Sequence, residues 1–221
     1  VVEHRAMASV RADRAGESEA ATALALRLAR AVDRSEHGQD NDGFEALMRR
    51  VLTPIAKFWV CKRGSAFAQE AMECLGGNGY VEAGGEGVMA RIYREMPLNS
   101  IWEGAGNIQA LDLLRALRSG ARQNGSRFDT VADALMHETA QARAADARVA
   151  KLAEHVVQAL RHDADEAGAR ALARTTALLV QAAQLHAHSP AEVFDAFCAA
   201  RLEQGADVFG LLPASLPLQA L

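Results

Sequence analysis

Apolar residues that return every three or four positions, over stretches far longer than a strand, most constrain this 221-residue chain. In residues 1–34, Val2, Met7, Val10, Ala20, Leu24, Leu28 and Val32 recur near helical spacing, with Arg5, Arg11, Arg14, Arg27 and Arg30 mostly between them. That period predicts one long amphipathic helix. Gly16 weakens its middle by about 1 kcal/mol relative to Ala. Residues 35–42, SEHGQDND, are a polar break with helix-stop and N-cap chemistry. Residues 43–75 predict a second long helix, in which Phe44, Leu47, Met48, Val51, Leu52, Ile55, Phe58 and Trp59 form a wide apolar stripe. Pro54 within it removes one intrahelical bond, so a kink or a boundary is expected there.

Shorter helices are expected over residues 88–96, ended by Pro97, and over residues 108–117. Residues 121–127 have the composition of a linker. Beyond it Phe128, Val131, Leu135, Thr139, Ala142, Ala145, Val149, Leu152, Val156 and Ala159 form a small-residue seam that predicts a helix over 128–160, closely packed by another. Aspartates at 163 and 165 precede a helix over 166–186, and Ser189 with Pro190 reads as an N-cap and N1 pair for residues 191–202. Residues 205–221, with Pro213 and Pro217, read as an irregular tail. No stretch alternates as a strand should, so the expected fold class is all-α.

Half of the residues are hydrophobic and few are aromatic, which suits close-packed helices. The net charge of −4 carries no electrostatic footprint for nucleic acid, and the part beyond residue 120 is acidic. Arg49, Arg50, Lys57, Lys62 and Arg63 give the second helix the densest basic character, read first as a solvated face or as partners for acids on the first helix. Cys61, Cys74 and Cys198 are odd in number and lack metal-ligand spacing, which reads as reduced thiols of a cytoplasmic protein and no metal site. No apolar run reaches the roughly 20 residues that span a bilayer. The chain opens on Val within a helical pattern, so a piece of a longer protein is expected.

Two short stretches carry candidate chemistry. PLNSIWEGAGNIQ, residues 97–109, presents one carboxylate, Glu103, on a glycine-bounded turn at the entrance to a helix. Trp102 beside it can shield the carboxylate, as a catalytic base requires. The same position also suits a group that stabilises the N-terminus of the following helix through its dipole. GGNGY, residues 76–80, ends the second helix on glycines that allow close approach by a ligand, or that simply cap the helix. His137, His155, His162, His186 and His188 form no nucleophile motif, and Met72, Met89, Met96 and Met136 read as core filler.

Together, GGNGY and IWEGAGNIQALDLLR (residues 101–115) resemble the C-terminal helical domain of the acyl-CoA dehydrogenase family. RIYREMPLNSIWEGAGN (residues 91–107) and LTPIAKFWVCKRG (residues 52–64) are most similar to its alkylation-response, AidB-type branch. The resemblance is strong over residues 20–118. It implies a four-helix-bundle-like domain over residues 1–120 followed by a helical extension over 121–221. It implies an oxidoreductase in which FAD accepts a hydride from the acyl β-carbon while a carboxylate, matched by Glu103, removes the α-proton. Trp102 matches the aromatic position beside substrate and flavin, and Ala105 and Asn107 match residues at the FAD adenine end. Gly76 and Gly77, with Glu73 and Leu75 before them, match a turn that approaches the FAD of a neighbouring subunit. Many relatives have Gln where Glu73 stands.

Acyl-CoA or a related small molecule as substrate, and a homo-oligomer, typically a tetramer, follow from the same resemblance. So do duplex DNA as a partner of that branch and, as a third reading, a structural oligomerisation core. The family's N-terminal helical domain, its β-domain and an Arg-x-x-Phe-Gly segment have no counterpart in the chain. The expectation is a C-terminal piece that neither holds FAD tightly nor turns over substrate alone.

Overall fold

The computed structural model describes residues 4–82, 87–118, 127–161, 165–216 and 218. Its elements are α1 (Arg5–Glu36), α2 (Phe44–Glu73), the single turn α3 (Gly77–Tyr80), α4 (Val88–Asn99) and α5 (Gly106–Arg118). Then come α6 (Val131–Glu138), α7 (Ala140–Ala145), α8 (Ala147–Arg161), α9 (Ala169–His188) and α10 (Ala191–Phe197), which runs into a π-helical turn over Cys198–Glu203. No strand occurs among the described residues, and no described helix is long and apolar enough to cross a membrane.

The two long helices organise the rest. Asp40 takes the first amides of α2, accepting from Glu45 N at 3.1 Å and Ala46 N at 2.7 Å, as the polar break at 35–42 predicts. The break reverses the chain, so α1 and α2 are antiparallel: Arg27 pairs with Glu45 and Glu17 with Arg63. On the other side of α2, α5 also runs antiparallel, with Gly106 beside Lys62 and Asp112 on Arg50 at 2.7 Å. α4 lies alongside as well, Met96 against Gly64, and Lys57 donates to the Asn99 carbonyl.

α9 lies against α1, α2 and α5. Its buried face is rich in alanine (Ala169, Ala173, Ala177, Ala182 and Ala183), which lets these helices approach closely. One contiguous core joins Leu24, Leu47, Met48, Leu52 and Ile55 to Leu113, Leu135, Leu178, Leu179 and Leu185. Residues 119–126, where the division at 120 and most of the linker fall, lie outside the described residues. On either side of them the packing is continuous.

Arg27 is the main polar tie in this core. It donates from Nη1 to Glu45 at 2.8 Å and from Nε to Glu138 at 2.6 Å, and Gln184 donates to the same Glu138 at 2.9 Å. Burial opposes the charge, but the two carboxylates hold the guanidinium above its ordinary value. α1, α2, α6 and α9 thus meet at one buried charge.

α2 runs through Pro54, as the helix expected over 43–75 does, and of the kink and the boundary offered there the boundary does not occur: the flanking Val51, Leu52 and Ile55 are buried and their packing outweighs one lost hydrogen bond. Three local expectations are corrected. α4 likewise continues through Pro97 to Asn99. The seam over 128–160 does not form one helix but α6, α7 and α8. Thr139 turns its hydroxyl back to the Leu135 carbonyl at 2.8 Å. Asp146 adopts extended backbone and accepts from Arg148 N at 2.7 Å, opening α8 anew. Finally, the position before α10 belongs to Pro190 and not to Ser189.

Removing the buried guanidinium isolates two carboxylates. Arg27→Met is expected to cost about 3–5 kcal/mol of unfolding free energy, read by urea denaturation.

Candidate active-site edge

Leaving α4, the chain tightens at once. The Leu98 carbonyl accepts from Ile101 N at 2.9 Å and from Trp102 N at 3.1 Å. Glu103 follows with φ of +56°, the only non-glycine at positive φ among the described residues. That conformation costs an L-residue roughly 1–2 kcal/mol and is characteristic of functional sites. Gly104 continues the reversal at φ of +105°. Gln109, in the first turn of α5, reaches back and donates to the carbonyls of Glu103 at 3.0 Å and Gly104 at 3.3 Å. A Cβ on Gly104 would stand 2.5 Å from that amide nitrogen. The carboxylate therefore sits on a loop clamped from within.

Its side chain faces outward. Glu103 is exposed, and its carboxylate accepts no hydrogen bond among the described residues, so it does not cap the α5 amides by hydrogen bonding. Trp102 is 56% exposed and Ile101 60%, so these neighbours leave the turn open. Ala105 is exposed too, and its carbonyl accepts from Gln109 N. Asn107 is held from the far half of the chain: its Oδ1 accepts from Arg170 Nη1 of α9 at 2.8 Å. The same guanidinium lies 5.4 Å over the Phe58 ring. Gly106 allows this convergence, because a Cβ there would come within 2.7 Å of Lys62 Cε.

The GGNGY turn is built differently. Gly76 takes φ of +61° after α2. Gly79 packs into α2 so tightly that a Cβ would stand 2.2 Å from the Met72 carbonyl oxygen. Gly76, Gly77, Leu75 and Tyr80 are exposed. Glu73 accepts from Gln69 Nε2 at 3.0 Å, and burial together with the Glu73 charge pushes Glu70 above the usual carboxylate range.

Along α2, Lys62 at the start of α5 and Glu73 at the glycine turn are separated by about 16 Å at 1.5 Å per residue. One chain therefore brings Trp102, Glu103, Ala105 and Asn107 together, and separately Glu73, Leu75, Gly76 and Gly77. It does not join the two sets. Each is bordered by exposed apolar side chains: Leu98 and Ile108 at the first, Val81 and Val88 at the second.

Gln109 and Arg170 are the positioning residues that sequence reasoning missed. Gln109 stands within the quoted motif, where its glutamine offered the only signal. Arg170 had none, because its contact depends on how α9 docks. The basic residues of α2 are largely engaged in holding the fold: Arg49 on Glu36 at 3.0 Å, Arg50 on Asp112, Lys57 on the Asn99 carbonyl and Arg63 on Glu17 at 3.1 Å. Lys62 is exposed beside Gly106. Cys198 is buried, which pushes its thiol up to about 12, and Cys61 and Cys74 are half-buried.

Comparison with known proteins bears on the family and the fold. The model for the acyl-CoA dehydrogenase C-terminal domain matches residues 1–118. AidB of Escherichia coli (strain K12), which carries an acyl-CoA dehydrogenase name, is 43% identical over 185 residues, 84% of this chain and 31% of that protein. Acyl-CoA dehydrogenase family member 11 of Caenorhabditis elegans is 33% identical over 138 residues, 62% of this chain and 21% of that one. The crystal structure of Caenorhabditis elegans ACDH-11 in complex with C11-CoA shares the fold with a TM-score of 0.66 at 24% identity, covering 85% of this chain and 34% of that chain. The chain thus spans about a third or less of the length of these relatives.

Two substitutions test the backbone geometry by urea denaturation. Gly79→Ala forces a methyl group against the Met72 carbonyl and is expected to cost about 1–3 kcal/mol. Glu103→Gly relieves the left-handed residue and is expected to stabilise by up to about 1 kcal/mol.

Proposed function

The chain belongs to the acyl-CoA dehydrogenase family, and on that premise we propose that it forms the C-terminal part of an FAD-dependent, alkylation-response-type acyl-CoA oxidoreductase with Glu103 as its base. The observation that carries this reading is the state of Glu103. Its carboxylate is exposed and accepts no hydrogen bond among the described residues, while its backbone is strained and clamped by Gln109. A residue that served only to cap α5 would turn its carboxylate to the helix amides.

In this role Glu103 takes the proton from the carbon next to a thioester carbonyl. That proton is weakly acidic, so the carboxylate must be aimed before the reaction, and the fixed loop does this without the entropy of a free side chain. Trp102 lies beside the reacting carbons and keeps water from that side. Bound FAD supplies the acceptor for the β-hydride. The exposed indole, the small Ala105 and the Arg170-anchored Asn107 fit one edge of such a group.

Glu73, Leu75, Gly76 and Gly77 would face the FAD of a second subunit, consistent with the separation along α2. The Glu73 carboxylate, held by Gln69, is the one member of that set whose charge opposes a pyrophosphate. A homo-oligomer follows from the shared site, and the exposed Leu98, Ile101, Ile108 and Tyr80 are suitable surfaces for it. The C11-CoA held by the Caenorhabditis elegans structure supports an acyl thioester as substrate. Residues 1–120 are the family domain in this reading and residues 121–221 its extension, which reaches the site through Arg170. Duplex DNA draws no support from α2, where Arg49, Arg50, Lys57 and Arg63 hold internal partners.

The test is Glu103→Gln in the full-length protein, mixed anaerobically with acyl-CoA while the visible flavin absorbance is followed. Bleaching is expected to slow by about 10²–10⁴-fold. Undiminished reduction would remove Glu103 from the role.

A further inference from the structure

We propose that Arg170 is a positioning residue of the cofactor site: it fixes the amide of Asn107 so that two N–H donors are presented to FAD, and thereby sets how tightly FAD is held. This rests on the reading of Asn107 as a residue at the FAD adenine end. It gives a role to α9, which lies beyond the matched family domain.

The backbone of Arg170 is fixed by its neighbours in sequence. Ala169, Leu172 and Ala173 are all buried in the core. From that position the guanidinium makes two contacts. It lies 5.4 Å over the ring of Phe58, which is buried on α2. Its Nη1 donates to Asn107 Oδ1 at 2.8 Å. The ring contact limits where the guanidinium can go, so less freedom is lost when the hydrogen bond forms. Gly106 leaves the space for it, since a Cβ there would stand 3.4 Å from Arg170 Nη1.

The direction of this bond decides what Asn107 offers. Arginine carries donors only, so it can meet only the oxygen of the amide. The Nδ2 end is therefore turned away from Arg170, and it donates to no group among the described residues. Asn107 is exposed, which keeps both N–H donors available. The adenine ring nitrogens and the phosphate oxygens of FAD are acceptors, the partners such a pair of donors requires. A freely turning amide would offer oxygen and nitrogen alike, and binding would have to immobilise it.

A tie that served stability alone would favour a different residue. Arg170 makes no ion pair among the described residues. An aspartate at position 107 would give it a charge-assisted bond, about twice as strong as a neutral one. The negative charge would also suit the N-terminus of α5. It would, however, present acceptors only. The neutral amide forgoes the stronger bond and keeps the donors.

The experiment is titration of the full-length protein, stripped of flavin, with FAD, followed by the change in flavin fluorescence. Arg170→Met is expected to weaken FAD binding by about threefold to tenfold, as for one hydrogen bond lost. Asn107→Ala is expected to weaken it to a similar extent, and Arg170→Met added to Asn107→Ala to have no further effect. Without flavin, Asn107→Asp is expected to unfold at the same temperature as the parent or higher, yet it should bind FAD more weakly. Equal losses from Arg170→Met in the presence and absence of Asn107 would overturn the proposal, because the guanidinium would then act by its own charge or through the docking of α9. Parental FAD affinity in Asn107→Asp would overturn it too. If Asn107→Ala weakens FAD binding and Arg170→Met does not, the proposal alone is overturned. If Asn107→Ala has no effect, Asn107 is removed from the cofactor site, and that part of the reading falls with the proposal.

Discussion

One buried guanidinium makes the chain a single packed body. Removing Arg27 from water is unfavourable, and only the close approach of Glu45 and Glu138, with Gln184 on the latter, offsets that cost. These partners come from α2, α6 and α9, so the charge is satisfied only when segments from both sides of residue 120 are in place. The contact acts as a register pin. Apolar burial between alanine-rich helices tolerates sliding, but a buried ion pair does not.

The same docking reaches the candidate active-site edge. Once α9 is fixed against α2, Arg170 falls opposite Asn107 and Phe58. The late part of the chain therefore supports the loop that bears Glu103 without contributing a reacting group. Gln109 fixes the loop locally, and Arg170 fixes the entrance of α5 from outside. Between them, a strained residue is held in place by neutral and charged hydrogen bonds at its flanks, and its carboxylate remains free.

The helices were legible in the sequence because burial repeats with the helical period. Val131, Leu135, Ala142, Val149 and Val156 are buried as their spacing implies, although they belong to three helices and not one. The breaks were not legible, since Thr139 fits the seam by size and Asp146 lies off it, and both interrupt the helix by their hydrogen bonds. Pro97 misled in the opposite sense: a proline costs one bond, and α4 continues past it to Asn99. At the site, Glu103, Trp102 and the glycines could be found by motif because their roles are local. Arg170 could not, because a contact between residues 63 positions apart depends on topology. Acids of α1 facing α2 were anticipated in kind, and the structure assigns them to Glu17 and Glu36, whereas Asp112, which holds Arg50, comes from α5 and was not anticipated.

α2 carries the two motif clusters at different points along one rigid rod, and this makes it a ruler. Its length sets how far the carboxylate loop stands from the glycine turn, and its winding sets the angle between them. Each residue added or removed between Lys62 and Glu73 would shift the turn by 1.5 Å and rotate it by about 100° around the helix axis. Changes of a whole number of turns alone keep both clusters facing their original directions. That stretch of α2 is therefore free to vary in composition on its outer face but not in length.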